Sequence, residues 1–247
     1  MASSPRAPGV REAAQDPSRF ESLTGDTALP FPEYDDPPPE PLALAGRWLD
    51  EATARGVREP RSLALATADE RGRASSRIVT VGELGPRGLL FTTHSTSRKA
   101  RDLAAHPWAS GVLYWRETAQ QLVIAGPVRQ LETAECEALW AARAVPLHAM
   151  TTASRQSEPV HDVAALRERA RGLAAPGLPL PRPERFTGYV IEPAEVEFWL
   201  ARPDRLHCRL HYVRESRAGR ESCEGREAWE VREGHADHGW RVSRLQP

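Results

Sequence analysis

Three features of the sequence predict a mainly antiparallel β fold with peripheral helices, closed into a barrel. Short strand-like runs such as 62–68 and 75–81 are separated by turn residues, here the 69–72 turn that ends in Gly72. The chain has no strand–helix–strand alternation with a glycine-rich turn, which disfavours a parallel sheet with a dinucleotide site. With 247 residues, 40% of them hydrophobic, it can bury the core of one large domain or two small ones.

The first half of the chain is expected to contain most of the sheet. Residues 1–29 lack hydrophobic periodicity and are expected to be flexible. The proline-dense stretch 29–39 should run extended over the surface or a neighbouring subunit. An amphipathic helix follows at 41–56, with Trp48 and Leu49 on its apolar face. One helix at 100–105 interrupts the strands predicted at 62–68, 75–81, 89–93, 108–115 and 121–131.

The second half is expected to add two helices, at 133–143 and 163–173, with a polar segment between them. Its strands are predicted at 188–191, 195–200, 209–214 and 239–245. The glycine- and charge-rich stretch 216–238 is predicted to be an exposed insertion, and the spacing of Cys223, His235 and His238 in it fits no metal site. Residues 30–247 are therefore expected to form a single domain.

Composition excludes several classes of function. The net charge of −1 argues against a nucleic-acid-binding protein, because such proteins carry a basic excess. The chain has no apolar run long enough for a membrane span and no signal-peptide pattern, and its three cysteines are widely spaced, so we expect a cytoplasmic protein. No hydrolase triad, P-loop or zinc-protease motif is present, which leaves a planar redox cofactor as a plausible source of reactivity.

The use of lysine points to an anion site. Lys99 is the only lysine in the chain, and it follows Arg98 in the first turn of the helix predicted at 100–105. Ser95, Thr96 or Ser97 would be the N-cap of this helix. Cations are disfavoured at a helix N-terminus, so two of them there suggest a bound anion, for which phosphate is the usual guest. The alternative interpretation is a solvated basic turn.

Further polar clusters stand out along the chain. Arg77 interrupts an apolar strand, Gln121 opens another, and residues 154–158 form a polar loop. If residues 205–209 form a strand, then Arg205, His207 and Arg209 share one face. Such a face near Trp199 suits a planar, negatively charged ligand, although a solvent-facing strand is an alternative.

In their order and spacing these clusters resemble the pyridoxamine 5′-phosphate oxidase family of FMN enzymes. The motifs that carry the resemblance are Arg77-Ile78-Val79, Ser97-Arg98-Lys99, Gln156-Ser157, Glu197-Phe198-Trp199, Arg205-Leu206-His207 and the terminal Arg244-Leu245-Gln246-Pro247. The resemblance implies a split β-barrel homodimer with FMN at the subunit interface and no metal. It also implies a set of cofactor-binding residues, namely Arg77, Ile78, Val79, Thr80, Thr92, Thr93, Arg98, Lys99, Gln121, Gln156, Ser157, Trp199 and Arg209.

The sequence departs from the family where vitamin B6 oxidases bind the substrate phosphate. Three of the four expected ligands are replaced, by Gly82, Leu139 and Leu147, and only Arg143 is kept. The loss of several charged hydrogen bonds disfavours a phosphorylated substrate, and the two leucines would suit a larger, flatter ring. The resemblance places Arg205 and His207 on the substrate side. It makes His207 a candidate proton relay without identifying a catalytic residue.

Further stretches are similar to one branch of the family, the flavin oxidases of phenazine biosynthesis. They are 31–34, 57–61, 108–117, 120–121, 148–150, 154–158 and 205–210. This similarity implies oxidation of reduced phenazine carboxylic acids by FMN, with O2 as final acceptor. Our hypothesis is that a hydride passes to FMN while Arg205, together with His207 and Arg143, binds the substrate carboxylate. Cys208 and the 216–238 insertion depart from the branch. The alternatives are a vitamin B6 phosphate oxidase and a flavin-binding barrel without turnover.

Overall fold

The structure, a computed structural model, describes residues 25–215 and 239–247. Within these ranges the sheet is antiparallel throughout, with strand order β4-β1-β2-β3-β6-β5-β7-β8-β9. The strands are β1 (Ser62–Ala68), β2 (Ala74–Gly85), β3 (Gly88–His94), β4 (Trp108–Trp115), β5 (Gln120–Gln130), β6 (Phe186–Ile191), β7 (Glu195–Leu200), β8 (Cys208–Arg214) and β9 (Trp240–Arg244). Because β4 also pairs with β5, six strands close into a barrel, which confirms the predicted fold class.

Five helices surround the barrel in the described part of the chain. They are α1 (Pro41–Ala54), α2 (Arg98–Ala105), α3 (Thr133–Ala142), α4 (Pro146–Ala153) and α5 (Val163–Ala174). The prediction of a polar segment between α3 and α5 was wrong, since α4 lies there. Pro146 occupies the start of α4, where its fixed φ favours a first turn, and His148 and Ala149 are buried. None of these helices is long and apolar enough to span a membrane.

The barrel core extends under the N-terminal segment. The ring of Trp48 on α1 lies 5.0 Å from that of Phe31 and 5.1 Å from that of Phe198 on β7, measured between centroids. Leu29 and Phe31 are buried, so the stretch expected to run over the surface contributes to the core, and residues Pro32–Tyr34 form a short 3-10 turn. The rest of the predicted flexible segment, residues 1–24, lies outside the described residues, as does the 216–238 insertion.

Strand β2 changes its partner halfway along its length. Residues 74–80 pair with β1, whereas residues 81–85 pair with β3, with a register shift between Val81 and Glu83. The last three residues of β3 pair only with β6 on the other side. A gap therefore opens in the barrel wall between the first half of β2 and the end of β3.

An exposed apolar row crosses the outer face of the sheet. Ile78, Ala64, Val112 and Val123 are successive cross-strand partners on β2, β1, β4 and β5. Directly paired residues point to the same face of a sheet, so these four side chains form one continuous stripe, which we call the outer row. Ile78 is 64% exposed, although it lies in the middle of a strand.

Candidate functional site

A cavity of about 530 Å³ occupies the gap between β2 and β3. Most of the residues predicted to hold a cofactor line it. They are Arg77, Ile78, Val79, Thr80, Thr92, Thr93, Arg98, Lys99, Gln156 and Ser157. Arg143, predicted to bind substrate, lines the same cavity. The structure therefore brings together residues from β2, β3, α2, the end of α3 and the loop after α4.

Helix α2 directs its N-terminus at this cavity. Among the three predicted N-caps, the structure selects Ser97, whose Oγ accepts the Ala100 N–H at 3.4 Å. The Arg98 N–H, one of the unpaired donors of the first turn, donates to Ser157 Oγ at 3.1 Å. Ser157 has a φ of 71°, a strained value for a residue with a side chain, and this brings its hydroxyl to the helix start.

Arg77 is held in place by a buried carboxylate. Its guanidinium donates to Thr67 Oγ1 at 2.6 Å, to Ser75 Oγ at 2.5 Å and to Asp102 Oδ2 at 3.4 Å. Asp102 is 5% exposed, and the same Oδ2 also accepts from the Thr67 and Ser75 hydroxyls at 2.6 and 3.0 Å. This network fixes the arginine before any ligand binds. Sequence reasoning missed Asp102, although its position three residues after Lys99 on α2 places both on one helix face.

Lys99 is the second fixed cation. It is 5% exposed, and its Nζ donates to Thr93 Oγ1 at 3.0 Å and to Gln156 Oε1 at 3.2 Å. Burial, and secondarily the nearby Arg77, lower the pKa of Lys99 to about 8, while Asp102 opposes this shift. A buried ammonium next to another cation is stabilised by an anion.

The charge around the cavity is unbalanced. Its described lining includes four cationic side chains and no carboxylate. Asp102 lies outside the lining, where its ion pair with Arg77 neutralises part of this positive charge. The buried Nε of Arg143 has no hydrogen-bond partner among the described residues. Since an unsatisfied buried donor costs about 1–3 kcal/mol, these groups fit an anionic ligand that supplies acceptors.

Two residues outside the cavity hold the loop that carries Gln156 and Ser157. Arg185 donates to three carbonyl oxygens at the end of α4, those of Thr151 at 3.2 Å, Ser154 at 3.1 Å and Thr152. A cation is favoured at a helix C-terminus, so Arg185 both caps α4 and fixes the start of the loop. The second residue is His94, which accepts the Gln156 N–H. No pattern in the sequence identifies either residue.

The remaining predicted cofactor residues form a separate group. Gln121, Trp199 and Arg209 are successive cross-strand partners on β5, β7 and β8, and none of them lines the cavity. Arg209 forms a bidentate ion pair with Glu197, at 2.7 and 3.1 Å, so its charge has a partner within the chain. We call Gln121, Trp199 and Arg209 the second cluster. It lies on the outer face of the sheet, like the outer row.

The prediction that Arg205, His207 and Arg209 share one face of a strand was wrong. Strand β8 begins at Cys208, and Arg205 lies in a turn with a φ of 67°. His207 also precedes the strand; its ring lies 4.7 Å from that of Trp199, and its Nδ1 accepts the Arg202 N–H at 3.1 Å. Burial, then the charge of Arg205, lower the pKa of His207, and Asp204 opposes them. A two-residue period cannot be applied where the backbone turns.

The leucines predicted to contact substrate do not line the cavity of a single chain. Leu139 packs against a small core cluster that includes Leu131 and Cys136, and Leu147 is 43% exposed on α4. Gly82 lies at the register shift of β2, where a Cβ would come within 2.9 Å of Leu90 Cδ2. Gly82 therefore fits the packing of the bulge.

No group of three or more potential metal ligands is found among the described residues. Cys223, His235 and His238, considered above as potential ligands, lie outside them.

Comparisons with known proteins place this geometry in a family. Residues 49–175 match pyridoxamine 5′-phosphate oxidase, and residues 186–247 match the pyridoxine 5′-phosphate oxidase C-terminal dimerisation region. A protein of Burkholderia lata named dihydrophenazinedicarboxylate synthase is 56% identical, over 93% of this chain and 99% of its own. A pyridoxine/pyridoxamine 5′-phosphate oxidase of Burkholderia multivorans is 38% identical, over 86% of this chain and 91% of its own.

Solved structures agree with this placement. The crystal structure of PhzG from Burkholderia lata, in complex with tetrahydrophenazine-1-carboxylic acid, is 48% identical in sequence with a TM-score of 0.80. The match covers 90% of this chain and all of the PhzG chain. Because the family match spans more than half of the sequence, and close relatives align over nearly all of it, this chain belongs to the pyridoxamine 5′-phosphate oxidase family.

Proposed function

We propose that this chain is an FMN-dependent oxidase that aromatises reduced phenazine carboxylic acids, with O2 as the final electron acceptor. One observation carries the proposal: a preassembled cationic cavity in a chain that is similar, over 93% of its length, to a dihydrophenazinedicarboxylate synthase. The chain keeps the cations that suit a cofactor phosphate, and it has Gly82, Leu139 and Leu147 where a substrate phosphate would need ligands.

The phosphate end of the cofactor would bind at the start of α2. Arg77, Arg98 and Lys99 provide three positive charges there, and a phosphate monoester carries about two negative charges at neutral pH. The N-terminus of α2 adds its dipole, and the Ser157 hydroxyl is within reach of the same turn. These residues fit FMN because they offer more charge-assisted donors than the chain itself can satisfy.

The ring end would bind along the open edge of β2. Residues 75–80 line the cavity without a break, and on that edge their backbone groups have no strand partner within residues 25–215 and 239–247. Backbone N–H and C=O groups can recognise the edge of a flavin ring, which itself has donors and acceptors. FMN supplies, when bound, the two-electron acceptor that none of these side chains provides, and the protein contributes position and exclusion of water.

A second copy of the chain would complete the site. The exposed outer row is apolar, and one of its members, Ile78, also lines the cavity. A twofold interface buries the same patch on both subunits, so pairing through this face would bring the partner subunit's second cluster towards the cavity. The match of residues 186–247 to a dimerisation region supports this arrangement, because β7, β8 and β9 lie in that region.

Three residues are proposed to bind the substrate. Arg143 has an unsatisfied donor at the cavity. Arg205 is close enough to His207 for its charge to lower the pKa of that ring, and the His207 ring contacts Trp199, at the end that the partner subunit would supply. Either guanidinium can pair with a carboxylate. His207 uses its Nδ1 lone pair to accept the Arg202 N–H, so its neutral ring has the proton on Nε2. We therefore assign His207 the role of a hydrogen-bond donor through Nε2. The proton that the substrate loses is then accepted by solvent.

The test is anaerobic mixing of the purified, FMN-loaded protein with two reductants while the flavin absorbance is followed. We expect a chemically reduced phenazine carboxylic acid to bleach the flavin, and air to restore it with consumption of O2. Pyridoxine 5′-phosphate should leave the spectrum unchanged. Bleaching by pyridoxine 5′-phosphate alone would overturn the proposal in favour of a vitamin B6 phosphate oxidase. A protein that takes up no FMN would overturn it entirely.

A further inference from the structure

The loop between α4 and α5 carries two residues of the cavity, yet it lies outside any helix or strand. Gln156 accepts from Lys99 Nζ and from the Thr93 hydroxyl through Oε1, at 3.2 and 2.7 Å, and Ser157 accepts the Arg98 N–H. The position of both side chains depends on how their backbone is held, because a loop without ladder hydrogen bonds has few other restraints.

His94 provides that restraint at the centre of the loop. It is the last residue of β3, its side chain does not line the cavity, and it is 5% exposed. Its Nδ1 accepts the backbone N–H of Gln156 at 3.2 Å. Only a ring with a free Nδ1 lone pair can accept this bond, so His94 has to be neutral with its proton on Nε2.

In the described part of the chain, three charged groups from different segments act on His94, and all three are cations. They are Arg185 ahead of β6, Lys99 on α2 and Arg143 after α3. Burial, followed by these three charges, lowers the pKa of His94. The surroundings thus favour the neutral ring that the hydrogen bond requires.

We propose that His94 is a positioning residue of the cofactor site: its neutral ring holds the Gln156 backbone, and protonation of the ring releases this loop and weakens FMN binding in acid. The inference rests on the proposed function, since it takes FMN as the ligand of the cavity. An imidazolium has donors on both nitrogens, so it would oppose the Gln156 N–H instead of accepting it.

The direction with pH follows from the lowered pKa. Above a pH of about 6.5, histidine is neutral both in the free state and in the folded protein, and the contact is complete. As the pH falls through the lowered pKa of the folded state, the contact is lost. FMN affinity and the stability of the empty protein should both decrease in this window.

The experiment compares FMN dissociation constants between pH 5 and 8, from the quenching of flavin fluorescence, for the wild type and three variants. His94→Asn places an amide oxygen where Nδ1 accepts and cannot titrate, whereas His94→Phe has no acceptor. His161→Asn removes an exposed histidine as the matched control. The phosphate of FMN itself titrates near pH 6, and this affects all four proteins equally.

We expect the wild-type Kd to rise on acidification about tenfold more than that of His94→Asn, since one lost contact near 1.4 kcal/mol is a factor of ten. His161→Asn should follow the wild type, and His94→Phe should bind weakly at every pH. Parallel curves for the wild type and His94→Asn would overturn the role of His94 while leaving the cofactor assignment intact. Absence of FMN binding in all four proteins would overturn the proposed function itself.

A second measurement needs no cofactor. Histidine side-chain NMR on the empty protein reports the tautomer and the titration midpoint of His94 directly. A neutral ring protonated on Nε2, with a titration midpoint below 6.5 and inside the pH range of the binding experiment, supports the inference. A ring protonated on Nδ1 or a midpoint above 6.5 contradicts it, whatever FMN does.

Discussion

The cavity and the second cluster are built in opposite ways, although the family resemblance assigns both to one cofactor. In the cavity, Arg77 and Lys99 are held by buried partners of the same chain, so these two cations are already positioned without a ligand. Trp199 and Arg209 instead lie on the outer face of the sheet and do not reach the cavity. This difference supports the proposal that one chain provides the phosphate end of the site and a second copy completes the ring and substrate end.

This division has a physical reason. A phosphate site must hold several cations close together, which is costly unless buried acceptors such as Asp102 and Gln156 fix them first. A ring site needs flat apolar walls and few polar groups, and these can come from two surfaces that meet. The outer row joins the two regions because Ile78 belongs both to it and to the cavity lining.

The largest effect is expected from breaking the contact between copies. Val112→Arg puts a charge in the middle of the outer row, so the chain should become monomeric in sedimentation experiments. Oxidase activity should fall by two orders of magnitude or more, because a buried unpaired charge costs several kcal/mol. Val160→Arg, at an exposed apolar residue outside the row, is the control and should stay dimeric. A monomeric Val112→Arg with full activity would refute the division between the two regions.

Removal of a fixed cation should mainly affect the cofactor. Lys99→Ala deletes one charge-assisted contact of about 1.5–3 kcal/mol, so the Kd of FMN should rise roughly 10- to 150-fold. Flavin fluorescence titration measures this change. Arg101→Ala on the exposed side of the same helix is the matched control and should bind FMN as the wild type does. Unchanged FMN affinity in Lys99→Ala would remove the lysine from the phosphate site.

Arg205→Ala tests the substrate side. If Arg205 pairs with the carboxylate, KM for a reduced phenazine carboxylic acid should rise about 10- to 100-fold, with a smaller change in kcat and no change in FMN affinity. Steady-state O2 consumption gives both constants. An unchanged KM would exclude Arg205 from carboxylate binding and leave Arg143 as the candidate.

The smallest effect is a pH dependence at the phosphate end. With the pKa of Lys99 lowered to about 8, the empty site loses this charge as the pH rises above that value. FMN affinity should therefore weaken above pH 8, by up to tenfold per unit, and binding near pH 8.5 should take up a proton. Calorimetry in two buffers with different ionisation enthalpies measures the uptake. Lys99→Arg, which stays charged, should show a flat profile, and a flat wild-type profile would contradict the shift.

Part of the cavity lining was predictable from the sequence because the residues concerned are adjacent along the chain. A serine N-cap followed by Arg98 and Lys99 predicts both a helix start, which the structure confirms, and an anion site, which stays a prediction. Arg77 was found for a similar reason, as a charge inside an apolar strand. In such cases the sequence pattern and the residues that line the cavity lie in the same short segment.

The residues that were missed act through tertiary contacts. Asp102, His94 and Arg185 are ordinary polar residues in the sequence, and their roles arise from partners at least 25 residues away. The error at 205–209 has another origin, because a turn at Arg205 breaks the two-residue period that the prediction assumed. Helix α4 was missed since its short sequence lacks a clear apolar stripe.

Complementation between two defective chains tests whether two copies of the chain build each site. Lys99→Ala damages the cavity, whereas Arg205→Ala damages the end that the partner is proposed to supply. When the two chains are refolded together in equal amounts, half of the dimers should be mixed. One of the two sites in each mixed dimer should then contain neither substitution. About a quarter of all sites would then be intact, so kcat/KM of the mixture should rise to about a quarter of the wild-type value. A mixture that only averages the two variants would contradict the claim that two copies build each site.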